Sequence, residues 1–125
     1  MNRILIIEDQ PDMRANLALT LRMEGFDVLT APDGEVGLAC ARAAAPDLVL
    51  CDVMMAGLDG YGVLRALRAD TTTAHLPFLF LTARGEKNDR HLGLTLGADG
   101  YITKPVLVDD LLAAITARLT PANAT

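Results

Sequence analysis

The length, composition and charge of the chain restrict the kind of protein it can be. Its 125 residues are enough for one compact domain with a hydrophobic core of its own. Hydrophobic residues make up 51% of the chain and charged residues 22%, a composition typical of globular rather than disordered proteins. The net charge is −5 and no cluster of Lys or Arg is present, so we expect no direct binding of nucleic acid by this domain.

The apolar segments are too short for a protein that crosses a membrane. Runs such as residues 4–7 and 78–81 are far below the ~18 residues that span a bilayer. The amino terminus lacks the long apolar region and cleavage site of a signal peptide. Cys40 and Cys51 fit no metal-binding or CxxC spacing, which favours two buried thiols in a reducing compartment. We therefore expect a cytoplasmic protein without a membrane partner.

Five short runs typical of β-strands alternate with five segments of helical pattern. The predicted strands are residues 4–7, 27–30, 47–51, 78–81 and 101–103. Helices are predicted from Pro11 to Gly25, over residues 33–45, around Val63, Leu64 and Leu67, around Leu92 and Leu96, and around Leu111, Leu112, Ile115 and Leu119. Because the strands are continuously apolar, helices should cover both faces of the sheet. The predicted fold is α/β, a single-domain (βα)5 doubly wound parallel sheet of five strands, over residues 1–120, followed by a disordered tail or linker at 121–125.

Polar residues follow four of the five predicted strands. They are Glu8 and Asp9 after the first strand, Asp52 after the third, Thr82 after the fourth and Lys104 after the fifth. Functional groups of open parallel sheets gather at the carboxyl ends of the strands. Each residue alone is unremarkable, because Asp and Thr commonly begin turns. Together they predict that three carboxylates, a hydroxyl and an amine converge at one edge of the sheet.

This set of side chains has the chemistry of a metal-dependent phosphoryl site. Three clustered carboxylates repel each other, and a divalent cation would relieve the repulsion. Mg²⁺ prefers hard oxygen ligands, and it binds one or two carboxylates together with a phosphoryl group. The ammonium of Lys104 can pair with a carboxylate or phosphoryl oxygen, and the hydroxyl of Thr82 can donate to another. The sequence therefore predicts Mg²⁺ as the cofactor.

Four ordered motifs carry a family resemblance. They are ILIIED at 4–9, LVLCDVMM at 48–55, LTAR at 81–84 and GADGYITKP at 97–105. Together they resemble the receiver domain of response regulators in bacterial two-component systems, and the match extends over residues 2–119. The resemblance implies a flavodoxin-like fold of the kind found in the single-domain chemotaxis regulator. It also implies a phosphorelay signalling domain rather than an enzyme. Such a domain catalyses only its own phosphorylation and dephosphorylation.

The resemblance assigns the chemistry to four residues. Asp52 would be the phosphoacceptor, which attacks the phosphohistidine of a sensor histidine kinase or phosphotransfer protein and forms an acyl phosphate. Asp9, Asp52 and the backbone carbonyl of Met54 would hold Mg²⁺, and Glu8 would act largely through water.

The resemblance also implies a switch. Thr82 and Lys104 would bind the phosphoryl group, and Tyr101 would turn inward when Thr82 moves. The Lys104-Pro105 peptide bond would be cis, and Arg84 would tune the rate of dephosphorylation. A downstream protein target or an output domain would recognise the altered face, with the domain acting as a monomer or as a phosphorylation-promoted homodimer.

Three positions depart from the family pattern. Proline is usual where this chain has Ala56, a second acid is frequent at Gly100, and an aromatic residue is frequent at Val106. The last two positions lie on the surface that many receivers use to dimerise or to bind targets. The identity of the partner is therefore not carried over from the family.

Two other classes of α/β protein are the alternatives. An aspartyl-nucleophile phosphatase usually has a DxD arrangement, and the sequence Asp52-Val53-Met54 lacks the second acid. A flavodoxin-type cofactor binder needs a Ser/Thr/Gly-rich phosphate cradle after the first strand. Glu8 and Asp9 stand there instead and would repel phosphate in the absence of a metal.

Overall fold

The computed structural model of the chain describes residues 2–82 and 97–119. Five strands are present, β1 (Arg3–Ile7), β2 (Asp27–Ala31), β3 (Leu48–Asp52), β4 (Phe78–Thr82) and β5 (Gly100–Thr103). The helices within these ranges are α1 (Pro11–Met23), α2 (Gly34–Ala44), α3 (Gly60–Ala69) and α4 (Val108–Leu119). The predicted helix around Leu92 and Leu96, the residue Arg84 and the tail at 121–125 lie outside the described residues.

The strands form one parallel sheet in the order β2-β1-β3-β4-β5. The chain moves outward from β1 to β2 and then returns to the other side of β1, so the strand order reverses between β1 and β3. Ligand sites of open parallel sheets lie at such a reversal, outside the carboxyl ends of the strands. The predicted doubly wound α/β fold is confirmed, and its topology directs attention to the ends of β1 and β3.

The core consists of two apolar layers, one on each face of the sheet. Alternate residues of β1 explain the division, since Ile4 and Ile6 contact the layer that includes α1 and α4. Leu5 and Ile7 contact the layer that includes α2 and α3. Every residue of β3 and β4 is buried, as expected for inner strands that are covered on both faces.

Local hydrogen bonds define the ends of the helices. The chain leaves α1 through a Schellman motif, in which Gly25 has a φ of 94° and the N–H of Phe26 donates to the carbonyl of Leu21. Asp33 precedes α2 and Asp59 precedes α3, and each side chain accepts a backbone N–H of the first turn. Asp33 was predicted to be helical and is instead the N-cap, because its side chain replaces a missing backbone acceptor.

Three further predictions are corrected or confirmed by the structure. The strand expected at 47–51 is Leu48–Asp52, so Asp52 is itself the last residue of the strand. Cys51 is buried as expected, whereas Cys40 is only partly buried at the edge of the layer formed with α2. Within the described ranges, none of the helices has the length and apolar character needed to cross a bilayer.

Candidate functional site

The carboxyl ends of four strands position the candidate site. Glu8 follows β1, Asp52 ends β3, Thr82 ends β4 and Lys104 follows β5. The N–H of Lys104 donates to the carbonyl of Thr82 at 2.7 Å, which continues the pairing of β5 with β4. The structure thus brings together residues that are up to 96 positions apart in the chain (from 8 to 104).

Three carboxylates lie together at this edge. Oxygen atoms of Glu8, Asp9 and Asp52 are all within 4.8 Å of one another. The side chain of Glu8 is fully buried and that of Asp52 is 8% exposed, whereas Asp9 is exposed. The acidic pair and the strand-end acid that the sequence singled out therefore form one cluster, which is open to solvent on the side of Asp9.

Lys104 provides the positive charge of the cluster. Its Nζ lies 2.9 Å from Oδ1 of Asp52 and 3.2 Å from Oε1 of Glu8. Burial disfavours the ammonium, but the hydrogen bond and charge of Asp52, together with Glu8, outweigh this effect and raise the pKa of Lys104 above its ordinary value. Lys104 is therefore held as a cation between two acids.

One lysine is not enough for three carboxylates, and Asp9 shows the imbalance. Asp9 is exposed but partly desolvated by its neighbours, and this effect, followed by the nearby carboxylate of Glu8, raises its pKa, although its own backbone N–H and Lys104 act in the opposite direction. Buried acids nearby act on a thiol as well, since burial and then Asp52 and Glu8 raise the pKa of Cys51. The cluster is short of positive charge.

A buried oxygen of Glu8 tests whether a metal ion fits this site. Its Oε2 accepts the N–H of Gln10 at 3.1 Å, but Oε1 has no hydrogen-bond donor within the described residues. Lys104 lies at ion-pair distance from Oε1, 3.2 Å away, so this oxygen has a neighbouring positive charge but, in the described part of the chain, no hydrogen-bond donor. Such an orphaned anionic oxygen beside two further carboxylates suits a hard divalent cation. The donor set therefore fits Mg²⁺.

The acids border an open cavity of about 180 Å³. It is lined by Asp9, Gln10, Asp52, Val53, Met54, Leu81 and Lys104. Met54, whose carbonyl was predicted to be a ligand, lies at the rim and is an exposed residue, with 65% of its surface accessible to solvent. A phosphoryl group and hydrated ion can enter such a cavity from solvent.

Two residues that support the acids were missed by the sequence reasoning. Gly60 opens α3 directly beneath Asp52, where a Cβ would lie 2.4 Å from the backbone carbonyl of Asp52. Arg14 of α1 donates from Nη1 to the backbone carbonyl of Glu8 at 2.9 Å. Neither residue carries a signal in the sequence, because glycine at the start of a helix and arginine on a surface helix are both ordinary.

Tyr101, the predicted switch residue, lies on β5 beside β4. Its ring stacks on that of Phe80, with centroids 5.6 Å apart and planes inclined by 28°. The residue is partly buried against the layer that includes α3. The Lys104-Pro105 bond is cis, as the resemblance implied.

The comparisons with known proteins agree with this geometry. A family model described as the response regulator receiver domain matches residues 4–116. The chain belongs to this family. This receiver domain is 44% identical over 119 residues to the DNA-binding dual master transcriptional regulator RpaA of Synechocystis sp., covering 95% of this chain and 49% of that protein. It is 43% identical over 117 residues to the DNA-binding response regulator MtrA of Mycolicibacterium smegmatis, covering 94% and 50% respectively.

Solved structures show the same fold. The chemotaxis protein CheY4 of Vibrio cholerae matches this receiver domain with a TM-score of 0.90 and 30% identity, covering 95% of this chain and 99% of that one. A receiver domain of a signal transduction histidine kinase from Syntrophus aciditrophicus matches with a TM-score of 0.90 and 29% identity, covering 100% and 95%. The chain spans about half the length of the curated relatives that it matches.

Membership in the family establishes the general function. The chain is a signalling domain of two-component systems, in which phosphorylation on an aspartate is general. Receiver domains interact with histidine kinases and generally use Mg²⁺.

Proposed function

We propose that Asp52 is the phosphoacceptor of this receiver domain. The observation that carries the proposal is the contact of its carboxylate with Lys104 at 2.9 Å, at the end of the central strand and inside the acidic cluster. A carboxylate oxygen of Asp52 would form the new P–O bond as the P–N bond of a phosphohistidine breaks. The electron pair of that bond stays with the histidine nitrogen, and the imidazole leaves neutral after taking up a proton from solvent. The phosphorylated carboxylate gains negative charge, which its neighbours must balance.

The acidic cluster is proposed to hold the Mg²⁺ that this family uses. Glu8, Asp9, Asp52 and the backbone carbonyl of Met54 would provide the oxygen donors, with Glu8 acting largely through water. The fit rests on Oε1 of Glu8, which has no hydrogen-bond donor among the described residues, and on the excess of charge, since three clustered carboxylates face the single ammonium of Lys104. When bound, Mg²⁺ supplies charge neutralisation for the carboxylates and the phosphoryl oxygens.

Lys104 and Thr82 are proposed to bind the phosphoryl group. Lys104 already contacts Oδ1 of Asp52 and needs only a small movement to reach an oxygen attached through that carboxylate. Thr82 is buried at the end of the neighbouring strand, where its hydroxyl can donate to another phosphoryl oxygen. Both residues would therefore stabilise the phosphorylated form of Asp52 more strongly than they stabilise its free carboxylate.

The signal is proposed to leave the site through β4 and β5. Movement of Thr82 toward the phosphoryl group would change the packing of Tyr101, which stacks on Phe80 two residues earlier in β4. A protein target or an output domain would recognise the altered face. Because RpaA and MtrA are described as DNA-binding and are about twice as long as this chain, we infer that a DNA-binding output domain is one class of target.

The test of the proposal is phosphorylation with acetyl phosphate and Mg²⁺, read by intact mass. The wild-type protein should gain one phosphoryl group that is labile to hydroxylamine, and Asp52→Asn should gain none. Asp47→Asn is the matched control, since Asp47 precedes the same strand but lies at its opposite end. Normal labelling of Asp52→Asn would assign the acceptor elsewhere.

A further inference from the structure

The segment between β1 and α1 carries two of the three clustered carboxylates but belongs to neither a helix nor a strand. Within it, the N–H of Gln10 donates to Oε2 of Glu8 at 3.1 Å. From outside, the guanidinium of Arg14 reaches the segment, and its Nη1 donates to the backbone carbonyl of Glu8 at 2.9 Å. That carbonyl belongs to the peptide group that joins Glu8 to Asp9.

We propose that Arg14 is a positioning residue for the acidic pair. By holding the peptide group between Glu8 and Asp9, its guanidinium sets the direction in which the carboxylate of Asp9 meets those of Glu8 and Asp52. The inference rests on the proposed function, because the orientation matters only if the three carboxylates share a metal ion. Arg14 touches neither the ion nor the phosphoryl group in this role, and it acts through the backbone alone.

The surroundings of Arg14 suit this role. The residue is partly buried on the first turns of α1, and its own N–H donates to the carbonyl of Gln10 at 2.9 Å. A hydrogen bond from a guanidinium is charge-assisted and therefore stronger than one between neutral groups. In the part of the chain that the structure describes, Arg14 forms no ion pair with a carboxylate, so its charge is directed to a carbonyl rather than to Glu8 or Asp9.

A purely electrostatic effect of Arg14 and a positioning effect predict opposite changes in the affinity for Mg²⁺ when Arg14 is replaced. Removing a cation near a Mg²⁺ site reduces electrostatic repulsion, so a purely electrostatic effect would make Mg²⁺ bind more tightly. Loss of a group that orients metal ligands weakens metal binding instead, typically by 10–100-fold. The sign of the change in affinity therefore distinguishes the two effects.

The experiment is a titration of the full chain with Mg²⁺ alone, followed by the NMR signals of the backbone amides of residues 8–10. Arg14→Met is compared with the wild type and with Arg22→Met. Arg22 is the matched control, because it lies on the same helix and its Nη2 donates to a backbone carbonyl, that of Val28, at 3.1 Å. Both variants lose one guanidinium-to-carbonyl bond, but only Arg14 contacts the acidic segment.

The expected result is about a tenfold weaker affinity for Mg²⁺ in Arg14→Met and an unchanged affinity in Arg22→Met, with similar losses of thermal stability in both. An unchanged or tighter affinity in Arg14→Met would overturn the proposal. So would an equal loss of affinity in both variants, because a general loss of stability would then account for it. If Arg14→Met does not fold, the guanidinium signals of Arg14 in the wild type decide: restrained signals that shift with Mg²⁺ support the role, and freely rotating, unshifted signals contradict it.

The outcome is distinguishable from a failure of the proposed function. If the wild type binds Mg²⁺ and Asp52 is phosphorylated while Arg14→Met binds Mg²⁺ normally, only the role of Arg14 is lost. If the wild type does not bind Mg²⁺ and gains no phosphoryl group, the metal site and the role of Arg14 are both wrong.

Discussion

The Nζ atom of Lys104 lies 2.9 Å from Oδ1 of Asp52, although 51 residues separate the two in the chain (between positions 52 and 104). The contact joins the end of the central strand to the residue that follows β5, at the edge of the sheet. Because the side chain of Asp52 is 8% exposed and that of Lys104 21% exposed, water screens the pair only partly. The pair therefore couples the protonation of Lys104 to the stability of the fold, at the aspartate that we propose as the phosphoacceptor.

The first prediction concerns stability at alkaline pH. The pKa of Lys104 is raised in the folded protein, so its stabilising contribution is fully present below the ordinary value of 10.5 and is lost as the pH rises through the folded value. Urea unfolding of the wild type and of Lys104→Met between about pH 8 and about pH 11.5 should show this. The difference in free energy of unfolding should be constant up to about pH 10 and shrink above it. A constant difference over the whole range would contradict the raised pKa.

The second prediction concerns the effect of the acidic cluster on the stability of the folded protein. Partial desolvation and then Glu8 raise the pKa of Asp9, so ionised Asp9 destabilises the folded state at neutral pH, and this effect disappears below the ordinary value of 3.8. Without metal, Asp9→Asn should be more stable than the wild type at pH 7, with a difference that vanishes toward about pH 3. The same substitution should weaken Mg²⁺ binding.

An acid on the neighbouring helix provides the control for Asp9. Asp12 lies in the first turn of α1, where a negative charge favours the helix dipole. Asp12→Asn should therefore leave the stability at pH 7 unchanged or slightly lower. If both substitutions stabilise the protein equally, the effect reflects net charge and not the cluster.

The third prediction concerns the relay from Thr82 to Tyr101. In Thr82→Ala, Asp52 should still accept a phosphoryl group, but the NMR signals of the Tyr101 ring should respond little to phosphorylation, because the variant lacks the hydroxyl that we propose to move toward the phosphoryl group. Thr103→Ala is the control, since Thr103 is exposed and pairs directly with Thr82 in the sheet. A full response of Tyr101 in Thr82→Ala would disprove the relay and leave the phosphorylation chemistry intact.

The fourth prediction compares two glycines in the first turn of α3. A Cβ at Gly60 would lie 2.4 Å from the backbone carbonyl of Asp52 and 2.9 Å from the ring of Phe80. Gly60→Ala should therefore destabilise the protein by about 1–3 kcal/mol, as overpacking does, and slow the labelling of Asp52. A Cβ at Gly62 meets the end of the flexible side chain of Leu58, so Gly62→Ala should change the free energy of unfolding by less than about 1 kcal/mol. Equal effects in urea unfolding would show that the backbone of Asp52 can move freely.

The sequence alone was sufficient to predict the fold class and the edge of the sheet that carries the acidic cluster. Both follow from local patterns, because a continuous apolar run identifies a strand that is buried on both faces. A polar residue directly after such a run is expected at the carboxyl end of a parallel strand, which is why Glu8 and Asp52 could be assigned to one edge in advance. Lys104 was assigned to the same edge from the shorter and less apolar run at 101–103. The cis bond before Pro105 was implied only by the family resemblance.

The tertiary structure decided the relationships between side chains that are distant in the chain. That Lys104 contacts Asp52 and Glu8 together depends on the strand order and on side-chain directions, which no spacing in the sequence specifies. The contact of Arg14 with the carbonyl of Glu8 is invisible in the sequence for a different reason, since a surface arginine can reach many groups and only packing selects one. The role of Gly60 is also invisible in the sequence. The backbone of Asp52 occupies the space that a Cβ at position 60 would need, and only the folded structure shows this contact.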